Sequence, residues 1–167
     1  MKLTTNFRTD IDTKITGGLD WHGLAPEIQH SLKMVVANAQ AIRDYLGKPV
    51  VVSSGLRSQA KNASLTGASK TSQHLHGEAL DLVLGDNLER VFRGILLGHI
   101  KLPYPPSQVI QERNPNTGAE WLHIGVVTDR WLEANKTTKP HRLIQTEFLK
   151  TADLINYELV SFKPFNV

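Results

Sequence analysis

Apolar residues Ile28, Leu32, Val35, Ala39, Ile42 and Leu46 recur at steps of four and three, with polar residues between them. A stripe of that period is one face of an amphipathic helix turned toward a core. Pro26 suits the first turn and Gly47 the C-terminal stop, so a helix is predicted between them. Further on the pattern shortens. Pro49 to Ser54 (PVVVSS) and Ala79 to Leu84 are brief apolar runs of the kind that form buried strands. The stretch between them, Gly55 to Gln73, is polar and rich in Gly and Ser, with one helical turn expected around Ala60 to Leu65. Asp86 with Glu89 three residues on predicts a capping box, opening a helix through Leu88, Val91, Phe92, Ile95 and Leu96. Pro103, Pro105 and Pro106 interrupt the pattern. Gln108 to Gln111 and Trp121 to Val127 read as strands on either side of a turn at Asn114 to Gly118 (NPNTG), and Tyr157 to Phe162 as a last one.

These strands follow no regular βαβ alternation, and no internal repeat is present. The expected fold class is therefore α+β, a single domain with a small, mainly antiparallel sheet and flanking helices. Residues 1–24 lack periodicity and read as an N-terminal lead-in. Residues 25–130 form the expected core, and 131–167 an extension packed on the same domain.

Composition narrows the function classes. A length of 167 residues with 40% hydrophobic residues suits one domain with an ordinary core. The net charge of +3 comes from scattered Lys and Arg, not from the clustered stripe that a nucleic-acid surface needs. It does allow a weak attraction to an anionic surface such as a bacterial wall. Cysteine is absent, which excludes disulfides, thiolate metal sites and a cysteine nucleophile. Met1 to Asp20 lacks the apolar stretch of about 7–15 residues found in a signal peptide. No run approaches the roughly 18 apolar residues of a membrane span. The expectation is synthesis in the cytoplasm without membrane insertion.

The chemistry concentrates in Ser72-Gln-His74-Leu-His-Gly77-Glu-Ala79-Leu-Asp81. Asp81 stands in an apolar strand, where a lone carboxylate is costly to bury and needs a partner. That partner is either an arginine or a metal shared with His74. Downstream, Glu120-Trp121-Leu122-His123 places a histidine on another apolar strand. Two His and one carboxylate form a set that zinc accepts, leaving a fourth position open. No His-Glu-x-x-His is present, which excludes the common helical zinc-protease arrangement.

These two motifs resemble those of the zinc D-alanyl-D-alanine carboxypeptidase family. That family includes the D-Ala-D-Ala dipeptidases of vancomycin resistance and phage L-alanyl-D-glutamate endopeptidases, on a fold shared with the hedgehog signalling domain. Its Ser-x-His-x-x-Gly-x-x-x-Asp and Glu-x-x-His both stand here, and Ser53-Ser-Gly-Leu-Arg57-Ser resembles its Ser-Gly-Tyr-Arg-Ser, with Leu56 in place of Tyr. The resemblance runs from Pro26 to Val127. It implies one zinc held by His74, Asp81 and His123, Glu120 as general base, and Arg57 binding substrate or the developing oxyanion. Ser72 is implied to bind substrate or to steady the His74 loop, and His76 to lie outside the ligand set.

The implied activity is hydrolysis of a peptide bond in peptidoglycan stem peptides, as carboxypeptidase or endopeptidase. The implied setting is a phage lysis enzyme released by a holin, or a virion-borne wall hydrolase. The alternatives are a non-catalytic module on the same fold and a cytoplasmic D-Ala-D-Ala dipeptidase. Strand parity raises one difficulty. Alternation puts Trp121, His123 and Gly125 on one face and Glu120 on the other. Glu120 can reach the centre only if the chain enters this strand irregularly. Glu112 is its rival.

Overall fold

The computed structural model describes residues 1–65, 68–114 and 116–135, and the backbone of 143–145. Helix α1 runs Pro26–Leu46, with Pro26 in its first turn and Gly47 closing it in the left-handed conformation. Its buried face carries Leu32, Val35, Val36, Ala39 and Ile42, the stripe that the spacing predicts. Then follow β1 (Val51–Ser54), α2 (Gln59–Ala63), β2 (Ala79–Val83), α3 (Leu88–Leu96), β3 (Pro106–Arg113), β4 (Glu120–Val126), α4 (Asp129–Ala134) and β5 (Leu143–Gln145).

The five strands form one sheet in the order β1-β2-β4-β3-β5. The first four pair antiparallel, and β5 lies parallel to β3. The fold is α+β with a mainly antiparallel sheet, as expected. The sheet separates two environments. Leu80, Leu82, Val109, Leu122 and Ile124 are fully buried on one face, where α1 and α3 pack. Buried Asn38 of α1 ties in the connection to β3, donating to the Tyr104 carbonyl and accepting from its N–H at 3.0 Å each.

The other face carries Ala79, Asp81, His123 and Gly125, since directly paired residues share a face. It is covered by the polar segment between β1 and β2. Among its described residues that segment holds the short α2, capped by Ser58, and a 3-10 turn at Gln73–His76.

Several expectations need correction. The N-terminal lead-in is part of the core: Phe7, Ile15, Trp21 and Leu24 are all buried. The Ile15 carbonyl accepts from Leu56 N–H at 2.9 Å, fastening this segment to the end of β1. The capping box at Asp86 does not form. A 3-10 turn occupies Gly85–Asn87, the start of α3 has no side-chain cap, and Glu89 instead pairs with Arg93 and accepts from Gln111 at 2.8 Å. The hydrophobic pattern predicts neither helix α4 nor strand β5, and the predicted strand at Tyr157 to Phe162 lies outside the described residues. No helix among the described residues is long and apolar enough to cross a membrane.

Candidate metal centre

Strand register builds the centre. Asp81 of β2 pairs directly with His123 of β4, so both side chains leave the same sheet face as neighbours. Against that face the 3-10 turn delivers His74. The turn ends at Gly77, whose φ of 66° suits a residue without Cβ. A side chain there would also meet Leu32 at 2.9 Å and Ile28, so the turn lies hard against α1.

Three donor atoms converge. His74 Nε2 is 3.2 Å from Asp81 Oδ1, His123 Nδ1 is 3.0 Å from the same oxygen, and the two ring nitrogens are 3.3 Å apart. All three side chains are buried. A tetrahedral zinc site with ligand distances of about 2.0–2.2 Å has edges of about 3.3–3.6 Å, so this triangle falls at or just inside that size.

Hydrogen bonding supports a cation there. His74 Nδ1 lies 2.7 Å from the Gly55 carbonyl, which can only accept, so Nδ1 carries the proton. In neutral His74 the Nε2 lone pair then faces a carboxylate oxygen and a second imidazole nitrogen. His74 Nε2 and Asp81 Oδ1 repel as facing acceptors unless a proton or a metal ion lies between them. His123 Nε2, on the far side of its ring, is buried and has no partner among the described residues. That atom lies outside the triangle; it is the three converging donor atoms, two imidazole nitrogens and a carboxylate oxygen, that fit a metal ion.

The electrostatics follow from burial and proximity. Burial pushes the His74 pKa down, and the nearby Asp81 only partly compensates. Burial also opposes charging of His123, but its hydrogen bond to Asp81 and the charges of Asp81 and Glu112 outweigh that and raise it. Burial opposes ionisation of Asp81 as well, yet the charges and hydrogen bonds of the two histidines hold its carboxyl well below the usual range. Asp81 Oδ2 accepts from Arg57 Nη2 at 2.5 Å, and Arg57 Nε donates to Ser54 Oγ at 2.8 Å. Arg57 N–H also donates to the His74 carbonyl at 2.9 Å. The guanidinium is thus fixed beside the triad with donors to spare.

The two glutamates fall on opposite sides. Glu120 pairs with Arg113 and Glu112 with Trp121, in regular register as far as Leu122 opposite Gln111. The irregular entry that Glu120 requires is absent; the register shift in this pair lies between Pro106 and Val109. Glu120 is exposed, on the face away from His123, with its carboxylate 3.6 Å from Arg113. Glu112 shares the face of Trp121 and His123. Burial raises its pKa and Asp81 adds to that, against the opposing pull of His123, the Trp121 indole and Arg57.

Ser72 begins the 3-10 turn without a side-chain capping bond. His76 lies outside the triad, and burial and then the Arg130 charge push its pKa down. Three supporting residues carry no motif signal. Buried Gln73 donates to the Val126 carbonyl at 3.2 Å and accepts from Ser107 at 2.9 Å, and both meet at Gly125. A lone Gln beside a predicted ligand was the available clue.

A single α+β domain with two imidazoles and one carboxylate converging on a sheet face has the donor set of a mononuclear metal hydrolase. A family model described as Peptidase M15 matches residues 5–96, more than half of the chain, including Arg57, His74 and Asp81. The chain belongs to the Peptidase M15 family, a family of zinc-dependent peptidases, and is a metallopeptidase. No curated protein matches it, and no solved structure does.

Proposed function

We propose that this chain hydrolyses a peptide bond in peptidoglycan stem peptides, using one zinc held by His74 Nε2, Asp81 Oδ1 and His123 Nδ1, with Glu112 as general base. The observation that carries this reading is the 3.0–3.3 Å triangle of donor atoms, with Glu112 on the same sheet face. Zinc, when bound, supplies Lewis-acid polarisation of the scissile carbonyl and lowers the pKa of water from 15.7 to about 7.

The chain's own residues do the rest. The Glu112 carboxylate takes a proton from the attacking water as its oxygen bonds to the carbonyl carbon. It then passes that proton to the amide nitrogen as the C–N bond breaks. The elevated pKa of Glu112 suits a group that must both accept and release a proton. Arg57, oriented by Asp81 and Ser54, offers its remaining N–H donors to the oxyanion that develops. Ser72, at the mouth of the His74 turn, is available to a substrate carbonyl or amide. The wall substrate is supported by the motif resemblance, and the +3 charge suits an anionic polymer. A phage lysis enzyme or a virion-borne wall hydrolase is the setting this reading favours.

The test is digestion of purified peptidoglycan, with new termini identified by mass spectrometry, for wild type, Glu112→Gln and Glu120→Gln at confirmed zinc content. Glu112→Gln should keep zinc and lose about 10²–10⁴ in rate, while Glu120→Gln stays within about tenfold. The reverse ranking would move the base to Glu120. Zinc-loaded wild type that releases nothing from sacculi would favour a non-catalytic module, or, if it cleaves free D-Ala-D-Ala, a dipeptidase.

A further inference from the structure

Among the described residues, Glu78 is the one fully buried carboxylate that the centre does not use: its side chain is 0% exposed and it lies outside the triad. It stands between the ligands, four residues after His74 and three before Asp81. Its backbone N–H donates to the Gln73 carbonyl at 3.0 Å and its own carbonyl accepts from Val126 N–H at 2.9 Å. The carboxylate leaves the sheet in the direction of α4. One oxygen accepts from Arg130 Nε at 2.8 Å and from the Thr128 hydroxyl, and the other accepts from Arg130 Nη2. The same Thr128 oxygen accepts from Trp131 N–H at 3.0 Å, capping α4.

The junction between the first two ligands is therefore gripped from two directions. Gly77 presses on Ile28 and Leu32 of α1, where no side chain fits. Glu78 is locked to α4 by a forked ion pair, whose planar geometry fixes direction as well as distance. Arg130 and Thr128 lie beyond β4, the strand that supplies His123. The pair thus links the turn carrying His74 to the chain just past the third ligand.

We propose that Glu78 and Arg130 are positioning residues for the metal centre, holding the His74–Asp81 junction at the spacing the metal needs. The proposal rests on the reading of the centre given above and adds a residue, Arg130, that acts only through the polypeptide. It separates from a general role in folding, because the stability of the fold and the affinity of an already folded centre are different measurements.

The test compares Arg130→Met with wild type by zinc competition against a chromophoric chelator and by visible absorption of the Co(II)-loaded protein. Arg130→Met should remain folded by circular dichroism, bind zinc about tenfold or more weakly, and show an altered Co(II) spectrum. Arg130→Lys, which keeps the charge but not the fork, should recover part of the affinity. Wild-type zinc affinity and an unchanged Co(II) spectrum in Arg130→Met, with only the melting temperature reduced, would overturn the proposal. Where Arg130→Met does not fold, Thr128→Val decides: weaker zinc supports the proposal, and unchanged zinc with a lower melting temperature overturns it. Wild type that binds no zinc sinks the reading of the centre itself, whereas wild type that binds zinc beside variants that match it sinks only the positioning pair.

Discussion

The two oxygens of Asp81 face different partners, where the sequence leaves an arginine and a metal as alternatives. A carboxylate in an apolar strand needs either an arginine or a metal, and here the two oxygens divide the work. Oδ2 takes Arg57, and Oδ1 faces both histidines. Gly125 is the less visible partner. It lies two residues past His123 on the same face, and a Cβ there would collide with Gln73 Oε1 and come within 2.6 Å of Ser107 Oγ. Gln73 directly precedes His74, so anything that displaces its amide also moves the metal turn. Gly125→Ala is therefore expected to destabilise by roughly 1–3 kcal/mol, as overpacking does, and to weaken zinc binding as well. A thermal melt in chelator and a zinc titration check both, with Ser107→Ala as the milder control. A Gly125→Ala protein that matches wild type in both would show that Gln73 has room to re-seat.

At the scale of elements, legibility followed periodicity. Helix α1 is legible because its apolar residues keep one helical stripe from Ile28 to Leu46, buried through the middle from Leu32 to Ile42. Strands β2 and β4 were legible because apolar runs surround the predicted ligands. The N-terminal segment was not, since Phe7, Ile15, Trp21 and Leu24 are spaced at neither period and bury themselves through turns. Helix α4 escaped because it is only six residues long, although Thr128 ahead of Asp129 was a readable cap. The three triad residues came from the family resemblance of their motifs, together with the apolar strands in which Asp81 and His123 stand. The choice between Glu112 and Glu120 did not, because it depends on how the Asn114 to Ala119 turn sets the pairing of β3 with β4. If the N-terminal segment belongs to the core, Ile15→Ala should cost about 2–5 kcal/mol, at roughly 2–4 °C of melting temperature per kcal/mol. A true lead-in would barely register the change, and a melt unchanged within a degree or so would return the segment to that status.

For the molecule as a whole, the centre joins parts of the chain that only folding brings together. Asp81 lies 7 residues from His74 and 42 from His123, on the 3-10 turn and two different strands. An unfolded chain has no such site, so zinc should bind the folded state and stabilise it by RT ln(1 + [Zn]/Kd), about 4 kcal/mol at a thousandfold excess over Kd. For a chain of this size that is roughly 8–16 °C of melting temperature. The pH dependence has a definite sign. Without metal, His123 has a raised pKa, with Asp81 and Glu112 outweighing burial. Its protonation therefore stabilises the metal-free fold fully below the unfolded histidine pKa of about 6.5, and that contribution is lost as pH rises through the raised value. His74, lowered chiefly by burial, works the other way and penalises the metal-free fold in acid. Zinc requires both rings unprotonated, so its stabilising increment must shrink as pH falls through the histidine range, whatever the balance between the two. Melting curves with saturating zinc and with chelator should be well separated near pH 8 and converge near pH 5. Curves that coincide at pH 8, or that separate further toward acid, would mean that these three residues do not hold a metal in the folded chain.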